Sequence, residues 1–349
     1  MATMLNAQRV ALKGRAFQPC APAVAIRGRR ALAVRASADD AFANYKPTIA
    51  AMFPGQGAQS VGMAKDLVAT VPKAKEMFDK ASEILGYDLL KVCVEGPKDK
   101  LDSTAVSQPA IYVASLAAVE KLRADEGQAA IDAIDVACGL SLGEYTALAF
   151  AGAMSFEDGL RLVKLRGESM QAAADAQPSS MVSVIGLDSA KVAELCKAAT
   201  EQGGPVQIAN YLCPGNYAVS GSKEGCDAVE KLGKSFGARM TVRLAVAGAF
   251  HTSYMSPAVD KLKAALAQTT IVKPRIPVVS NVDAQPHSDP ATIKEILSRQ
   301  VTSPVLWENT IKTLQEKGLT KSYEIGPGKV IAGIVKRMDK GATIVNITA

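Results

Sequence analysis

The chain has 349 residues, of which 48% are apolar and 21% charged. That apolar fraction excludes disorder as the main state, and charged residues interrupt every apolar stretch that is long enough to span a membrane. Seven of the 40 basic residues lie in residues 1–36, which contain no acidic residue, so the remainder holds 33 basic against 34 acidic residues. Residues 37–349 therefore lack the positive net charge that is expected of a nucleic-acid-binding protein.

Residues 1–36 are rich in arginine and alanine, a composition typical of an organelle transit peptide. Lys13, Arg15 and Arg27 interrupt each apolar stretch that could serve as the core of a secretory signal. Val34-Arg35-Ala36 resembles the processing site of algal chloroplast leaders. We predict a disordered transit peptide and a location in the chloroplast stroma. The low serine content leaves the mitochondrial matrix as an alternative, and an uncleaved basic arm as another.

The six cysteines are scattered without a Cys-x-x-Cys pair, and the chain contains only two histidines. This pattern predicts a reducing compartment and neither a disulfide framework nor a metal site.

Residues 46–177 alternate between short apolar runs, which predict buried strands, and stretches with helical spacing. The predicted elements are a strand at 48–53, a helix over 63–85 broken at Pro72, a helix from Ser107 to Arg123, a strand at 133–138, a helix from Ser141 and a long helix over 156–176.

Residues 178–248 show a different order, β-α-β-β-α-β, which is that of the ferredoxin-like split motif. Its strands are predicted at 180–186, 206–212, 216–220 and 239–246, and its helices at 189–202 and 222–236. The α/β alternation then resumes over 249–349, with helices at 254–268, 290–300, 304–317 and 328–339, and strands at 276–280, 322–325 and 342–347. The sequence therefore predicts an α/β main domain, 46–177 and 249–349, with a mostly parallel sheet and an inserted ferredoxin-like subdomain at 178–248.

Gly139-Leu140-Ser141-Leu142-Gly143 lies between a predicted buried strand and a predicted helix. A G-x-S-x-G pattern in that context is typical of a nucleophile elbow, a sharp turn that exposes the serine hydroxyl. The N–H groups of the helix terminus favour a negative charge that develops there. We predict that Ser141 is a nucleophile, with an ordinary helix-capping serine as the alternative.

A serine nucleophile needs a general base. His287 lies in a loop by composition, whereas His251 lies where the segment 178–248 returns to the main domain. Clefts form at such junctions, so we predict that His251 is the base, with a structural histidine as the alternative.

Two further features bear on the chemistry. The loop around Gln56 fails as a dinucleotide fingerprint because Ser60 occupies the third glycine position, but it could supply one N–H of an oxyanion hole, the other coming from Leu142. Arg166 has apolar neighbours at helical spacing and is expected to point inward. A buried guanidinium needs an anion, which predicts either a substrate carboxylate or an ion pair with Asp158 or Glu168.

These motifs, in this order, resemble the malonyl-CoA:acyl-carrier-protein transacylases of fatty acid synthesis and, more loosely, the acyltransferase domains of polyketide synthases. The motifs that carry the resemblance are Phe53-Pro54-Gly55-Gln56-Gly57-Ala58-Gln59, Gly139-Leu140-Ser141-Leu142-Gly143-Glu144-Tyr145, Leu165-Arg166-Gly167, Asn210-Tyr211, Gly248-Ala249-Phe250-His251 and Tyr323-Glu324-Ile325-Gly326-Pro327-Gly328-Lys329. The resemblance implies an α/β-hydrolase-like domain with a ferredoxin-like insertion.

The resemblance also implies the following roles. Ser141 would carry the acyl group, His251 would be its base, and the backbone carbonyl of Gln300 would orient His251 in place of an acid. The backbone N–H groups of Gln56 and Leu142 would form the oxyanion hole, Arg166 would pair with the malonyl carboxylate, and Asn210 and Phe250 would line the cleft. Phe250 resembles the bulky residue that disfavours methylmalonyl units. Two residues depart from the family: Leu140 replaces a common histidine, and Leu212 replaces a common asparagine.

The implied activity is transfer of a malonyl group from malonyl-CoA to the phosphopantetheine of acyl carrier protein, by an enzyme that needs no cofactor or metal. The expected partners are malonyl-CoA and a transient acyl carrier protein; no nucleic acid or membrane is expected, and the enzyme is expected to be a monomer. A serine hydrolase acting on acyl-CoA and a non-catalytic carrier-protein scaffold are the alternatives. Residues 311–340 are rich in Lys and Arg, including Lys336 and Arg337, which predicts either a docking patch for the acidic carrier protein or a plain solvated helix face.

Overall fold

The computed structural model of the protein describes residues 41–349. In this range the strands are β1 (Ile49–Phe53), β2 (Val136–Gly139), β3 (Ser179–Ile185), β4 (Val206–Cys213), β5 (Asn216–Ser222), β6 (Met240–Arg243), β7 (Val278–Val279), β8 (Lys321–Ile325) and β9 (Thr343–Ile347). The helices are α1 (Lys65–Thr70), α2 (Pro72–Leu85), α3 (Leu89–Glu95), α4 (Lys98–Asp102), α5 (Thr104–Glu126), α6 (Gln128–Asp132), α7 (Leu142–Phe150), α8 (Phe156–Ala176), α9 (Ser189–Gly203), α10 (Lys223–Gly233), α11 (Ser256–Gln268), α12 (Pro290–Gln300), α13 (Trp307–Glu316) and α14 (Val330–Met338).

The larger sheet is parallel and has the strand order β7-β2-β1-β8-β9. Its inner strands are short apolar runs, and all of β2 and most of β1 are buried. Parallel strands that are covered on both faces need such continuous apolar sequence. The predicted α/β fold with a parallel sheet is confirmed.

The smaller sheet is antiparallel and has the strand order β4-β5-β3-β6. All its strands come from residues 178–248, and α9 and α10 occur in the predicted β-α-β-β-α-β order. Side chains on one face, such as Val182, Val184 and Val219, pack in a separate core with both helices. The opposite face is therefore left free to line a cleft.

The predicted start of α5 and the predicted end of β6 are wrong, each for a reason that the structure shows. The helix predicted to start at Ser107 begins at Thr104, so Pro109 lies inside it. Its first turn is stabilised from outside, because the Gln171 side chain of α8 accepts a hydrogen bond from the Thr104 N–H (2.9 Å). The strand predicted to reach Val246 ends at Arg243, since the chain beyond it turns to line a cavity.

Over residues 41–349, no helix is long and apolar enough to cross a bilayer. The five cysteines of that range are buried and unpaired. The predicted transit peptide, residues 1–36, lies outside the described residues.

Candidate active site

The turn between β2 and α7 is as sharp as the elbow pattern predicts. Ser141 has a φ of 54°, a left-handed conformation that is strained for a residue with a side chain. A Cβ on Gly139 would lie 2.0 Å from the Gly143 carbonyl carbon, and one on Gly143 would lie 2.1 Å from the Phe53 carbonyl oxygen. Only glycine fits at these two positions, one on each side of the serine. The two glycines therefore permit the sharp turn that places the hydroxyl at the end of the sheet.

Asn281 fixes this turn from the neighbouring chain segment that follows β7. Its Oδ1 accepts a hydrogen bond from the Ser141 N–H (2.6 Å), and its Nδ2 donates to the Gly139 carbonyl (2.7 Å). The side chain is fully buried. One amide therefore holds both ends of the strained turn.

Ser141 and His251 are in hydrogen-bond contact, with 2.8 Å between Ser141 Oγ and His251 Nε2. His251 Nδ1 faces two backbone carbonyls, those of Gln300 (2.9 Å) and Ser303 (3.2 Å). Carbonyl oxygens only accept, so the proton is on Nδ1, and Nε2 is free to accept the serine proton. The geometry is that of a nucleophile with its general base, oriented by backbone oxygens.

His287, the other histidine, contacts Asp283 Oδ2 at 3.0 Å instead. The choice of His251 over His287 as the partner of Ser141 therefore agrees with the geometry.

Burial and, to a smaller extent, the nearby charge of Arg166 lower the pKa of His251 to about 4. A base works only in its neutral form, so acylation should lose rate only when the pH falls well below the ordinary histidine pKa of 6.5. We expect kcat/KM with malonyl-CoA to be flat from about pH 8 to about pH 5.5 and to fall below that. Rapid-quench measurement of the pH profile checks this, and an acid limb near pH 6.5 would contradict it.

Arg166 is 1% exposed, and its guanidinium points at the serine. Nη1 donates to Gln108 Oε1 (2.6 Å), and Nη2 donates to Gln300 Oε1 (2.9 Å) and to Ser141 Oγ (3.1 Å). The guanidinium also stacks over the Tyr145 ring, 5.2 Å from its centroid. Every one of these partners is electrically neutral.

The predicted alternative, an ion pair of Arg166 with Asp158 or Glu168, is wrong. Asp158 pairs with Arg161 on the surface of α8, and among the described residues no carboxylate lies within ion-pair distance of Arg166. Its Nε has no hydrogen-bond partner in the same range. A buried cation without a counterion is costly unless an anion binds, so this site is suited to a carboxylate ligand.

A cavity of about 210 Å³ lies above Ser141. It brings together the predicted side chains and turn residues, namely Gln56, Ser141, Leu142, Arg166, Asn210, Phe250 and His251. Gln300 reaches the site through its carbonyl and its side chain. The two departures, Leu140 and Leu212, line the same cavity, where they add apolar wall rather than a proton donor.

The strand and loop residues of 178–248 close the other side of this cavity. Met181, Asn210 and Ala218 come from the free face of the antiparallel sheet, and Leu244 and Val246 follow β6. Val330 and Ile334 of α14 complete the wall. The roles of the Gln56 and Leu142 N–H groups as oxyanion donors stay a prediction.

Sequence reasoning missed Gln108, Glu144, Asn281 and the side chain of Gln300. Gln108 lies directly before Pro109, where a helix start was predicted. For that reason its inward direction, toward Arg166, was not predicted. Asn281 follows a strand of a parallel sheet, and polar residues at the carboxyl ends of such strands commonly belong to binding sites; this signal could have found it.

Comparison with known proteins gives concordant results. The family described as "Acyl transferase domain" matches residues 52–344. A mitochondrial malonyl-CoA-acyl carrier protein transacylase of Mus musculus is 42% identical over 302 residues, covering 83% of this chain and 79% of that protein. A malonyl CoA-acyl carrier protein transacylase of Bacillus subtilis is 41% identical over 292 residues, covering 84% and 90%.

Solved structures show the same likeness in three dimensions. A malonyl CoA-acyl carrier protein transacylase from Coxiella burnetii superposes with a TM-score of 0.82 at 35% identity, covering 86% of this chain and 94% of that one. A malonyl-transacylase in complex with a type II polyketide synthase acyl-carrier protein superposes with a TM-score of 0.80 at 36% identity, covering 86% and 96%. The family match, over residues 52–344, includes every cavity residue named above.

Proposed function

Because the chain belongs to the acyl transferase domain family, we propose that it is the enzyme that moves a malonyl group from malonyl-CoA to the phosphopantetheine thiol of acyl carrier protein. The observation that carries this proposal is the set of contacts in one cavity, where Ser141 is in contact both with His251 and with a buried Arg166 that has no counterion among residues 41–349. The relatives and solved structures with which the chain shares its fold are named for the same activity.

The first half of the reaction forms a malonyl ester on Ser141. His251 Nε2 takes the hydroxyl proton while Oγ attacks the thioester carbonyl, and the backbone N–H groups of Gln56 and Leu142 hold the oxyanion. The carbon–sulfur bond then breaks, and the proton on His251 passes to the departing CoA sulfur. Burial keeps His251 neutral and ready for this step.

The second half repeats these steps in reverse with another thiol. The phosphopantetheine thiol of the carrier protein gives its proton to His251, and its sulfur attacks the malonyl ester. The ester bond to Ser141 breaks, and Oγ recovers the proton. Because the malonyl group stays on Ser141 between the departure of CoA and the arrival of the carrier thiol, we expect ping-pong kinetics, and the proposed steps use no cofactor or metal.

Arg166 selects the acyl group in this scheme. In the described part of the chain no carboxylate pairs directly with its guanidinium, and Nη2 lies 3.1 Å from Ser141 Oγ, so a malonyl carboxylate beside the scissile carbonyl would supply an anion. Phe250, next to His251 on the cavity wall, would oppose a branched methylmalonyl unit, and Asn210 would line the path of the acyl or pantetheine part.

The alternative activities are tested by following both products at once. Purified protein with malonyl-CoA and holo-acyl carrier protein should form malonyl-carrier far faster than free malonate. Release of malonate at an equal rate without carrier would instead indicate a hydrolase, and neither product would indicate a scaffold.

We propose that acyl carrier protein docks beside α14, with Lys336 and Arg337 as part of the contact. Both are exposed, and their helix contributes Val330 and Ile334 to the cavity wall. Reversing both charges (Lys336→Glu, Arg337→Glu) should raise the apparent KM for the carrier roughly 10-fold at low salt, with a smaller effect at high salt. Reversal of the exposed Lys261 and Lys263 on α11 is the matched control, and equal KM values for the two variants would contradict the docking site.

The strand orders support an α/β-hydrolase-like domain that carries a ferredoxin-like subdomain at 178–248, and we propose that the enzyme is a monomer without membrane contact. Relatives in mouse and human are named as mitochondrial, which supports an organelle form. On the composition of residues 1–36 we propose the chloroplast stroma, with the mitochondrial matrix as the alternative.

A further inference from the structure

The side-chain amide of Gln300 joins two of the three groups on which the proposed function rests. Its Nε2 donates to the Ser141 carbonyl (3.0 Å) and to Glu144 Oε2 (2.6 Å), and its Oε1 accepts from Arg166 Nη2 (2.9 Å). The third group, His251, is held by the backbone carbonyl of the same residue. The direction of this amide therefore bears on the whole site.

The hydrogen-bond pattern fixes that direction. On one side the amide faces only acceptors, a carbonyl and a carboxyl oxygen; on the other it faces a guanidinium, which only donates. A flipped amide would place its oxygen against both acceptors and its NH₂ group against the donor of Arg166. The flipped form would lose three hydrogen bonds and would no longer hold Arg166.

Glu144 supplies the shorter of the two bonds to the amide nitrogen. It lies in the first turn of α7 and is 3% exposed. The same oxygen, Oε2, also accepts from the backbone N–H of Asn281 (3.1 Å), the residue that holds both ends of the Ser141 turn. Glu144 is not part of the cavity wall, so it does not contact a bound acyl group and acts through neighbouring side chains.

We propose that Glu144 is a positioning residue for acyl-group selection, which turns the Gln300 amide oxygen toward Arg166 and thereby keeps the guanidinium beside Ser141. This inference rests on the proposed roles of Ser141, His251 and Arg166. In this arrangement the Gln300 amide lies between the Glu144 carboxyl group and Arg166. The guanidinium is therefore oriented by neutral oxygens, and its charge stays available to the substrate. Burial raises the pKa of Glu144 to about 7. Burying a carboxyl group costs free energy, which argues that this one has a positioning role.

The test compares malonyl-CoA with acetyl-CoA in single-turnover acylation, followed by intact mass. Glu144→Ala removes the shortest of the three hydrogen bonds that hold the amide (2.6 Å), so the amide fixes Arg166 less firmly, and the malonyl rate should fall roughly 10–100-fold while the acetyl rate falls much less. The ratio of the two rates should therefore drop about 10-fold. Glu144→Gln keeps an acceptor oxygen at the same position and should restore the ratio to within about threefold of the wild-type value.

Two further variants keep the test decisive. Glu308→Ala removes another buried carboxyl group, one that accepts from the Tyr217 hydroxyl (3.1 Å) outside the cavity, and should leave the ratio unchanged. Glu144→Asp withdraws the carboxyl oxygen from Gln300 by one methylene and should lower the ratio even if the alanine variant does not fold.

An unchanged ratio in the aspartate variant, or an equal loss for both acyl groups in the alanine variant, would overturn the inference. Failure of the glutamine variant to restore the ratio would overturn it too. These results differ from failure of the proposed function, in which the wild-type protein itself would form no malonyl adduct on Ser141.

Discussion

Replacing His251 with alanine should slow formation of the malonyl-enzyme by ~10²–10⁴-fold, the usual contribution of a general base. His251 Nε2 lies 2.8 Å from the Ser141 hydroxyl and accepts its proton. When the imidazole is removed, the serine proton has no acceptor. Rapid-quench acylation with malonyl-CoA, read by intact mass, measures the rate directly.

The chain offers a matched control for this variant, because its only other histidine lies elsewhere. His287 contacts Asp283 rather than the nucleophile, so His287→Ala should leave the acylation rate within about twofold of the wild-type value. If both variants lost rate equally, or if His251→Ala retained full rate, His251 would not be the base.

Replacing Arg166 with alanine should depress malonyl transfer on the order of 10²–10³-fold and relax discrimination against acetyl-CoA. The guanidinium is fully buried, and all its hydrogen-bond partners within residues 41–349 are neutral. Removing one partner of a buried charge pair costs about 3–5 kcal/mol, a penalty that the malonyl carboxylate meets in this variant and an acetyl group does not. The measurement is kcat/KM for both acyl donors.

Arg161→Ala is the matched control, since Arg161 lies on the same helix but pairs with Asp158 at the surface. Its removal should change neither kcat/KM value appreciably, because exposed ion pairs contribute little. An equal loss for malonyl and acetyl donors in the Arg166 variant would show that Arg166 does not recognise the carboxylate.

Local patterns were enough to predict much of this site. The elbow at Ser141 could be predicted because its cause is local: two glycines admit a close turn, and a buried strand and a helix flank it. The inward direction of Arg166 followed from the apolar face of a regular helix, and α8 was predicted at its observed bounds, Phe156–Ala176. The contact of the Gln300 carbonyl with His251 was implied only by the family resemblance.

The residues that support the site could not be predicted, because their contacts join distant parts of the chain. Asn281 meets Ser141 across 140 residues, and Gln300 meets Glu144 across 156. No periodicity or spacing encodes such pairs; the topology of the parallel sheet brings them together. The same reason explains the start of α5, where the Gln171 side chain stabilises a turn that local sequence places outside the helix.

Mapping the covalent adduct tests the central claim most directly. After brief incubation with malonyl-CoA, proteolysis and mass spectrometry of the wild-type protein should locate one malonyl group on the peptide that contains Ser141, and addition of holo-acyl carrier protein should remove it as malonyl-carrier appears. An adduct on another residue, or transfer to the carrier with no adduct at any time, would contradict the account.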